Sequence, residues 1–386
     1  MQLSNSDVFD LTEWRRRLHR MPEVSGEERE TAAAVGAFLA PTKPDRIVTG
    51  LGGHGVAVIY EGAEPGPTVM IRAELDALPI EDVADIPHRS QVPGKGHLCG
   101  HDGHMAILAA LGRELGRHRP ARGRAMLLFQ PAEETGAGAA AVLADPKFAE
   151  IAPDYAFSLH NMPGLPLGRA EIDTGPANCA SRGLRIVLEG RTAHAASPEH
   201  GVSPMGALAT LMPALTMLGP GGDLDDDFAL VTVTHARMGE PAFGIAPGRA
   251  EIYATLRTLR DDRMASLCAR AEALVRETAE AAGLALGMDY HDVFRHCENE
   301  TEAVAHLRRA FEEEGVAHGP GEPSRGSEDF GLFGSVAKSA MFRFGSGETT
   351  PKLHNPDFDF PDDLIAPGAR IFARVVRNLL GAAPRD

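Results

Sequence analysis

The sequence has few cysteines and no long apolar segment. Its four cysteines, at positions 99, 179, 268 and 297, are too few and too scattered for a disulfide framework in a chain of 386 residues. No stretch approaches the roughly 20 apolar residues that a membrane span requires, and the first residues lack a basic segment followed by an apolar one. We therefore expect reduced thiols, no membrane partner and a cytoplasmic location.

The sequence also has fewer positively charged residues than negatively charged ones. The chain has 38 Lys and Arg residues against 54 Asp and Glu residues, which gives a formal net charge of −16. This charge opposes attraction to a phosphate backbone, and no basic run interleaved with aromatic residues offsets it. The composition therefore argues against a nucleic-acid partner. The length exceeds what one hydrophobic core usually organises and predicts two domains.

Strand-like and helical patterns alternate in the first part of the chain. Two predicted helices within residues 10–39 precede four strand-like runs and two further helical patterns. The strands are predicted at 56–60, 69–75, 125–129 and 155–159, and the helices at 106–115 and 137–143. This alternation is typical of a mostly parallel α/β sheet.

The pattern changes after Gly175. Strand-like runs at 184–189, 228–236 and 250–256 are combined with helical patterns at 204–218 and 261–282. This order predicts a small antiparallel sheet of ferredoxin-like type with helices on one face. Helical and strand-like patterns then resume at 303–314, 339–344 and 364–380. We therefore predict an α/β domain of residues 1–177 and 291–386 that carries an inserted α+β domain of residues 178–290.

The stretch 94–105, GKGHLCGHDGHM, sets a thiol, three imidazoles and a carboxylate among glycines, directly before a helical pattern. Glycine lets the backbone turn tightly enough for Cys99 and His101 to point at one centre. A single cysteine or histidine would indicate a buried thiol or a loop residue. Five such groups at the start of a helix favour a metal site.

Other polar residues follow the predicted strands. Asp76 follows the second strand, and Glu133 and Glu134 follow the third. His160 closes the fourth. Because ligands of open α/β sheets gather outside the carboxyl ends of the strands, we expect these side chains at one edge, together with the cysteine–histidine motif.

Eight sequence blocks, in the same order, resemble the metal-dependent amidohydrolases and peptidases that include hippurate hydrolases, aminoacylases and auxin-conjugate hydrolases. The resemblance covers nearly the whole chain. The blocks are LHRMPEVSGEE (18–28), IRAELDALPIED (71–82), HLCGHDGHMA (97–106), LLFQPAEETGAGA (127–139), LHNMPGLPLG (159–168), GRTAHAASPEHG (190–201), GSEDFGLF (326–333) and LHNPDFDF (353–360).

The resemblance implies a dinuclear site of two divalent metal ions. Its ligands would be Cys99, His101, Glu134, His160 and His354. Glu133 would be the general base, which takes a proton from water and passes it to the leaving nitrogen. Asp76 would hold a ligand in position from behind. Thiolate and imidazole ligands suit zinc, and a carboxylate-rich site also accepts manganese or cobalt.

His194, within the inserted domain, would by the same resemblance donate a hydrogen bond to the tetrahedral oxyanion. The inserted domain would then act as a lid, and because related enzymes dimerise through it, we expect a homodimer or homo-oligomer. His97 and His104 are predicted to have structural roles, whereas the scattered histidines His19 and His88 are predicted to be solvated.

Two positions depart from the family pattern. Gly244 stands where many members have an asparagine that is associated with substrate or lid contacts. Glu74 stands where aspartate is common. Neither position is an expected metal ligand.

The sequence therefore predicts a hydrolase of N-acyl amino acids or related small amides. A dipeptidase or carboxypeptidase is the nearest alternative, and a non-catalytic metal-holding protein of the same fold is a second one. The presence of Glu133 argues against the latter, because a protein that only holds metal needs the ligands but not the base.

Overall fold

The structure is a computed structural model that describes residues 3–383. In this range the α-helices are α1 (Asn5–Arg20), α2 (Arg29–Leu39), α3 (His101–Arg117), α4 (Gly138–Ala144), α5 (Pro146–Ala149), α6 (Met205–Leu218), α7 (Asp261–Ala281), α8 (Thr301–Glu314) and α9 (Ile365–Leu380). Short 3-10 helices span Ala40–Thr42, Pro198–His200, Asp329–Ser335 and Asp362–Leu364. None of these helices combines the length and apolar character that a bilayer-spanning segment needs.

The strands within the same residues are β1 (Arg46–Leu51), β2 (Gly55–Glu61), β3 (Glu64–Glu74), β4 (Arg122–Gln130), β5 (Tyr155–Pro163), β6 (Ala170–Glu171), β7 (Gly175–Asn178), β8 (Ala180–Glu189), β9 (Ala193–His194), β10 (Ala229–Met238), β11 (Ile245–Ala246), β12 (Arg249–Thr258), β13 (Ala285–Phe294), β14 (Cys297–Asn299), β15 (His318–Gly319) and β16 (Lys338–Gly347).

The chain divides into two compact units. Unit 2 comprises Asn178–Cys297 and Pro323–Glu328, and unit 1 comprises the remaining described residues. The predicted boundary at 290/291 would cut β13, whose pairing with β8 continues to Phe294 opposite Ser181. In the structure, the main segment of unit 2 ends at Cys297 instead.

Unit 1 contains an eight-stranded sheet in the order β1-β2-β4-β3-β5-β16-β6-β15. Its centre, β4-β3-β5-β16, is parallel, and antiparallel pairs join β1 to β2, β2 to β4 and β6 to β16. The predicted mostly parallel α/β sheet is confirmed.

Successive residues of β3 supply both faces of this sheet. Val69, Ile71 and Ala73 belong to the large apolar core beneath α3 and α9, and the alternation of a strand turns Met70 to the other face. Both faces are buried, as expected for parallel strands. α3 packs against β3, α1 and α9 and is buried on nearly every side along residues 101–112. The start of α3 is thus fixed by the core.

Unit 2 contains a four-stranded antiparallel sheet in the order β10-β12-β8-β13. In β12, Ala250, Ile252, Ala254 and Leu256 are buried, and the intervening Tyr253 is exposed. α6 and α7 pack on the buried face. The order of elements, β8-α6-β10-β12-α7-β13, confirms the predicted ferredoxin-like arrangement.

Candidate metal centre

The carboxyl ends of three neighbouring parallel strands carry the predicted polar residues of unit 1. Asp76 lies just beyond β3, and Glu133 and Glu134 lie just beyond β4. His160 lies near the end of β5, which pairs with β3. The parallel register brings these loops to one edge, as the sequence predicts.

Two glycines shape the cysteine–histidine motif. Gly100 has φ 94°, and a Cβ atom there would lie 2.4 Å from Oδ1 of Asn161. A Cβ atom at Gly103, in the first turn of α3, would lie 2.2 Å from the ring of Phe360. Only glycine fits at both positions. The sharp turn at Gly100 lets His101 begin the helix directly after Cys99.

The expected ligands converge in unit 1. Cys99 Sγ lies 3.4 Å from His160 Nε2. Among the described residues, five groups of possible ligand atoms lie within 4.8 Å of one another, and three of them contain only expected ligands and the expected base. These three are Cys99, His101 and His160; Cys99, Glu134 and His354; and His101, Glu133 and Glu134. The structure therefore brings all five expected ligands and the expected base together.

The ring nitrogens of two histidines have the orientation that metal binding requires. Nδ1 of His101 donates to the backbone carbonyl of Asp76 at 2.8 Å, and Nδ1 of His160 donates to the carbonyl of Asn161 at 2.9 Å. In each ring the Nε2 lone pair is thereby turned toward the centre. Nε2 of His101 is buried and has no hydrogen-bond partner among residues 3–383. When the ring is neutral, this buried nitrogen without a partner can bind a metal ion.

The electrostatics of the centre also fit a cation. Burial, together with the carboxylates of Glu134 and Glu133, raises the pKa of the Cys99 thiol well above its usual value. Burial opposes protonation of His101, but Asp76 and nearby carboxylates outweigh it and raise its pKa to about 10. The nearby carboxylates contribute to both shifts, and divalent metal ions would compensate this negative charge. Burial lowers the pKa of His160 to about 3, so its ring is neutral.

Asp76 is fully buried behind this centre. Its Oδ2 accepts hydrogen bonds from Ser25 Oγ at 2.7 Å and from the backbone N–H of Glu134 at 3.0 Å. Its own carbonyl holds His101. Asp76 thus contacts two expected ligands without entering the centre.

His354 comes from the loop after β16 and has φ 65°, a left-handed conformation that is uncommon for histidine. Its backbone N–H donates to the carbonyl of Leu98 at 2.8 Å, which ties this loop to the cysteine–histidine motif. Its Nε2 lies 3.5 Å from Glu134 Oε2, and 48% of its side chain is exposed. His354 is therefore the most exposed of the five expected ligands.

His104 has a role that the motif alone did not specify. Its Nδ1 donates to Glu74 Oε2 at 2.6 Å, and its Nε2 lies 2.6 Å from Asn161 Oδ1 and accepts from the Asn161 backbone N–H at 3.3 Å. Glu74 also pairs with the buried Arg72, whose guanidinium reaches Asp329 at 2.6 Å. With both nitrogens engaged, His104 anchors the strand that carries His160. In the sequence, the available sign of this network was a charged residue, Arg72, within the apolar run 69–75.

His19 and His88 are buried, so the prediction that they are solvated is wrong. His19 Nδ1 donates to Asp102 Oδ2 at 2.9 Å, and Arg15, also fully buried, reaches the same oxygen at 3.2 Å. Arg15 also contacts Asp359 at 2.6 Å. A charged cluster around Asp102, beside His101 in the chain, therefore joins α1 to the loops that carry expected ligands. Each of the two histidines is followed directly by an arginine, which gave no local sign of burial.

His194 lies in unit 2, on the two-residue strand β9, where it pairs with Ile245 of β11. The side chain is exposed, and its Nδ1 accepts a hydrogen bond from the backbone N–H of Ala196 at 3.0 Å. The neutral ring therefore carries its proton on Nε2, which leaves that nitrogen as a hydrogen-bond donor. The backbone carbonyl of Gly244 accepts a hydrogen bond from the backbone N–H of Ala195, the residue after His194.

Comparisons with known proteins agree with this geometry. The model of "Peptidase family M20/M25/M40" matches residues 70–378. An N-acetyldiaminopimelate deacetylase from Anoxybacillus flavithermus is 30% identical over 365 residues, which cover 94% of this chain and 95% of that protein. An N-acetylcysteine deacetylase from Bacillus subtilis is 27% identical over 366 residues, which cover 95% of each.

Among solved structures, a dinuclear metal-binding peptidase of the M20 family from Bacillus subtilis has a TM-score of 0.81 and 25% identity, and the match covers 98% of this chain and 99% of that one. The family match spans most of the chain, and both relatives match over nearly their full length. The chain therefore belongs to peptidase family M20/M25/M40, and it is a metal-dependent hydrolase of amide bonds.

Proposed function

We propose that this protein removes the acyl group from N-acyl amino acids or related small amides. The observation that carries the proposal is the buried convergence of a thiol, two oriented imidazoles and paired glutamates at one sheet edge of unit 1. The named activities of the two deacetylase relatives support an N-acetyl amino acid as the first substrate to test.

The residues present fit a pair of divalent metal ions. Cys99, His101 and His160 form one group of mutually close donors, and Cys99, Glu134 and His354 form another. Divalent metals lower the pKa of a water molecule from about 15.7 to about 7, which supplies a nucleophile at neutral pH. The donor set suits zinc, and manganese or cobalt are the next candidates.

Glu133 would be the general base. The residue is buried, and its carboxylate lies 3.9 Å from His101 Nε2, beside the expected ligands. Asp76 holds the backbone of Glu134, and the side chain of Glu134 approaches His354. The two adjacent glutamates can therefore have different roles, one in metal binding and one in proton transfer. Glu134 would bind metal, and Glu133 would move the proton from water to the leaving nitrogen.

His194 would supply a hydrogen bond to the oxyanion through its Nε2–H, and Asp76 would fix His101 and Glu134 in place. The exposed donor is consistent with a group that acts when substrate is bound. We assign unit 2 as a lid and dimerisation domain on the basis of the family resemblance, with a homodimer as the expected assembly.

The proposed function is tested with a panel of N-acetyl, N-benzoyl and dipeptide substrates, after metal removal and after addition of Zn²⁺, Mn²⁺ or Co²⁺. We expect acid release from N-acyl amino acids that disappears with chelation and returns with metal. Metal-dependent cleavage confined to dipeptides would replace the proposal with a dipeptidase. Tight metal binding without turnover of any amide would leave a metal-holding protein.

A further inference from the structure

The turn that delivers Glu133 to the metal centre is strained. β4 ends at Gln130, and Ala132 follows with φ 49°. A Cβ atom makes this left-handed region unfavourable for alanine, so surrounding contacts must hold the residue there. The conformation matters because Ala132 directly precedes Glu133.

A buried glutamate from elsewhere in the sequence holds this turn. The backbone N–H of Ala132 donates to Glu28 Oε1 at 2.8 Å, and the N–H of Gly26 donates to the same oxygen at 2.9 Å. Glu28 is 0% exposed, and its second oxygen has no hydrogen-bond partner among residues 3–383. Burial of a carboxylate is costly, which argues that this one has a specific role.

Glu28 does not use its side chain for its own helix. It is the residue immediately before α2, the position from which a polar side chain commonly caps the first turn, yet it makes no such hydrogen bond. Glu23 accepts hydrogen bonds from the first turn of α2 instead. Its Oε2 accepts from the backbone N–H and the hydroxyl of Thr31 at 2.7 and 2.8 Å. Capping therefore does not explain the burial of Glu28.

The same segment has a second contact with the site. Ser25 donates to Asp76, which in turn accepts from the backbone of Glu134. Glu28 instead holds the residue before Glu133. The two adjacent glutamates are thus fixed from residues 25–28 by separate hydrogen bonds. This block of sequence, PEVSGEE, belongs to the resemblance but had no assigned part in the reaction.

We infer that Glu28 is a positioning residue. It would position Glu133, the proposed general base, by stabilising the left-handed conformation of Ala132. The inference depends on the proposed role of Glu133. Glu28 would act through its hydrogen bond to the backbone of Ala132.

The test compares Glu28→Ala, Glu28→Gln and the double variant Glu28→Ala/Ala132→Gly in the full chain. Glu28→Ala should lower kcat by about 10- to 100-fold, with metal content and KM near those of the wild type, since a small displacement of a reacting group can cost this much. Glu28→Gln keeps an acceptor oxygen and should retain most activity. Glycine accepts positive φ without penalty, so Ala132→Gly should restore part of the kcat lost in Glu28→Ala.

Glu23→Ala is the matched control. It removes a carboxylate from the same segment but leaves Ala132 untouched, so it should lower thermal stability without changing kcat. A Glu28→Ala variant with normal kcat would overturn the inference, as would one whose lost activity follows lost metal. Failure of Ala132→Gly to restore any activity in a folded, metal-loaded double variant would also overturn it.

Hydrogen exchange gives a readout that does not need turnover. In metal-free protein, Glu28→Ala should speed exchange of the Ala132 amide, and Glu23→Ala should not. If the wild type cleaves no amide but this exchange difference is present, the proposed function fails and the contact of Glu28 with the turn stands. Active wild-type enzyme with no exchange difference would mean that Glu28 does not hold the turn.

Discussion

The histidines of unit 1 and His194 of unit 2 are fixed in different ways. His101 and His160 are fixed by Nδ1 hydrogen bonds to backbone carbonyls within a packed sheet edge. His194 is exposed and lies on a two-residue strand, with one hydrogen bond from its own turn. Metal ligands must be in place before the ion arrives, which requires rigid support. A donor to a transient charge needs only to be present when that charge forms.

This comparison gives different expectations for substitutions in the two regions. Changes at the sheet edge of unit 1 should act on metal binding or on the base. Changes at His194 should act on turnover while metal content stays constant.

The largest effect is expected for Glu133→Gln. The amide keeps the size of the side chain but cannot accept a proton, so kcat should fall by roughly 10²–10⁴-fold or more. Metal content, measured by elemental analysis, should remain at the wild-type level. Glu134→Gln is the paired variant and should lose metal. The opposite pair of results would exchange the roles of the two glutamates.

His194→Ala should reduce kcat by about 10²–10³-fold, the range for loss of one oxyanion donor, with little change in KM. Steady-state kinetics at full metal loading measure this split. A rise in KM at constant kcat would show instead that His194 binds the ground state. If His194→Ala lost metal, the expectation that unit 1 controls metal binding and His194 controls only turnover would be wrong.

The same variants test whether His194 acts within its own chain. If a homodimer shares the residue, mixing Glu133→Gln with His194→Ala chains should restore part of the activity, because one combination unites an intact base with an intact donor. Activity that stays at the level of the separate variants, in a mixture shown to exchange subunits, would indicate action within one chain.

Cys99→Ser should weaken metal binding by at least ~10-fold, with activity falling in parallel, because a serine hydroxyl is a poorer ligand than a thiolate. Titration with a competing chelator measures the affinity, and circular dichroism checks the fold. Cys268→Ser, in the other unit, is the control and should retain wild-type metal affinity. Wild-type affinity in Cys99→Ser would exclude the thiol from the centre.

The last effect concerns stability rather than activity, and it lies in the buried charge cluster of unit 1. Burial opposes protonation of His19, but Asp102 outweighs it and raises the pKa from 6.5 to about 9. Between pH 6.5 and about 9, the folded protein keeps the proton on His19 that the unfolded chain releases. The stabilisation from the protonated His19 is therefore complete below pH 6.5 and is lost as the pH rises through about 9. The full difference corresponds to ~3 kcal/mol.

Thermal unfolding of the metal-saturated protein between pH 6 and pH 9.5 measures this dependence. Relative to His19→Gln, the wild type should lose stability as the pH rises. The control is His200→Gln in unit 2, where the side chain is 78% exposed and replacement should leave the curve unchanged. Parallel curves for the wild type and His19→Gln would contradict the assignment.

The predictable parts of the fold follow from local patterns. The period-2 alternation of β12 and the apolar runs of β3 and β4 gave the strands, and the order of elements gave both sheet types. The ends of the elements were less accurate. α3 was predicted to begin at 106, but it begins at His101, because the positive φ of Gly100 allows the chain to enter the helix directly from the cysteine–histidine motif.

The candidate site was predictable where residues adjoin recognisable strands or motifs. Asp76, Glu133 and His160 follow parallel strands, so their meeting at one edge needs only the general rule for such sheets. The supports were not predictable in this way. Nothing near Glu28 in the sequence indicates that its carboxylate reaches Ala132, and nothing near Arg15 indicates that it is buried against Asp102.

The sequence by itself determined which chemical groups this protein has and which strands and helices carry them, because periodicity and motif spacing act over a few residues. Only the tertiary structure decided how those groups are held. The partner of Ala132 is 104 positions away in the chain, and the carboxylate that Arg15 shares with His19 is 87 positions from Arg15. Hydrogen bonds and charges act through space, and the distances that matter to them exist only once the chain has folded.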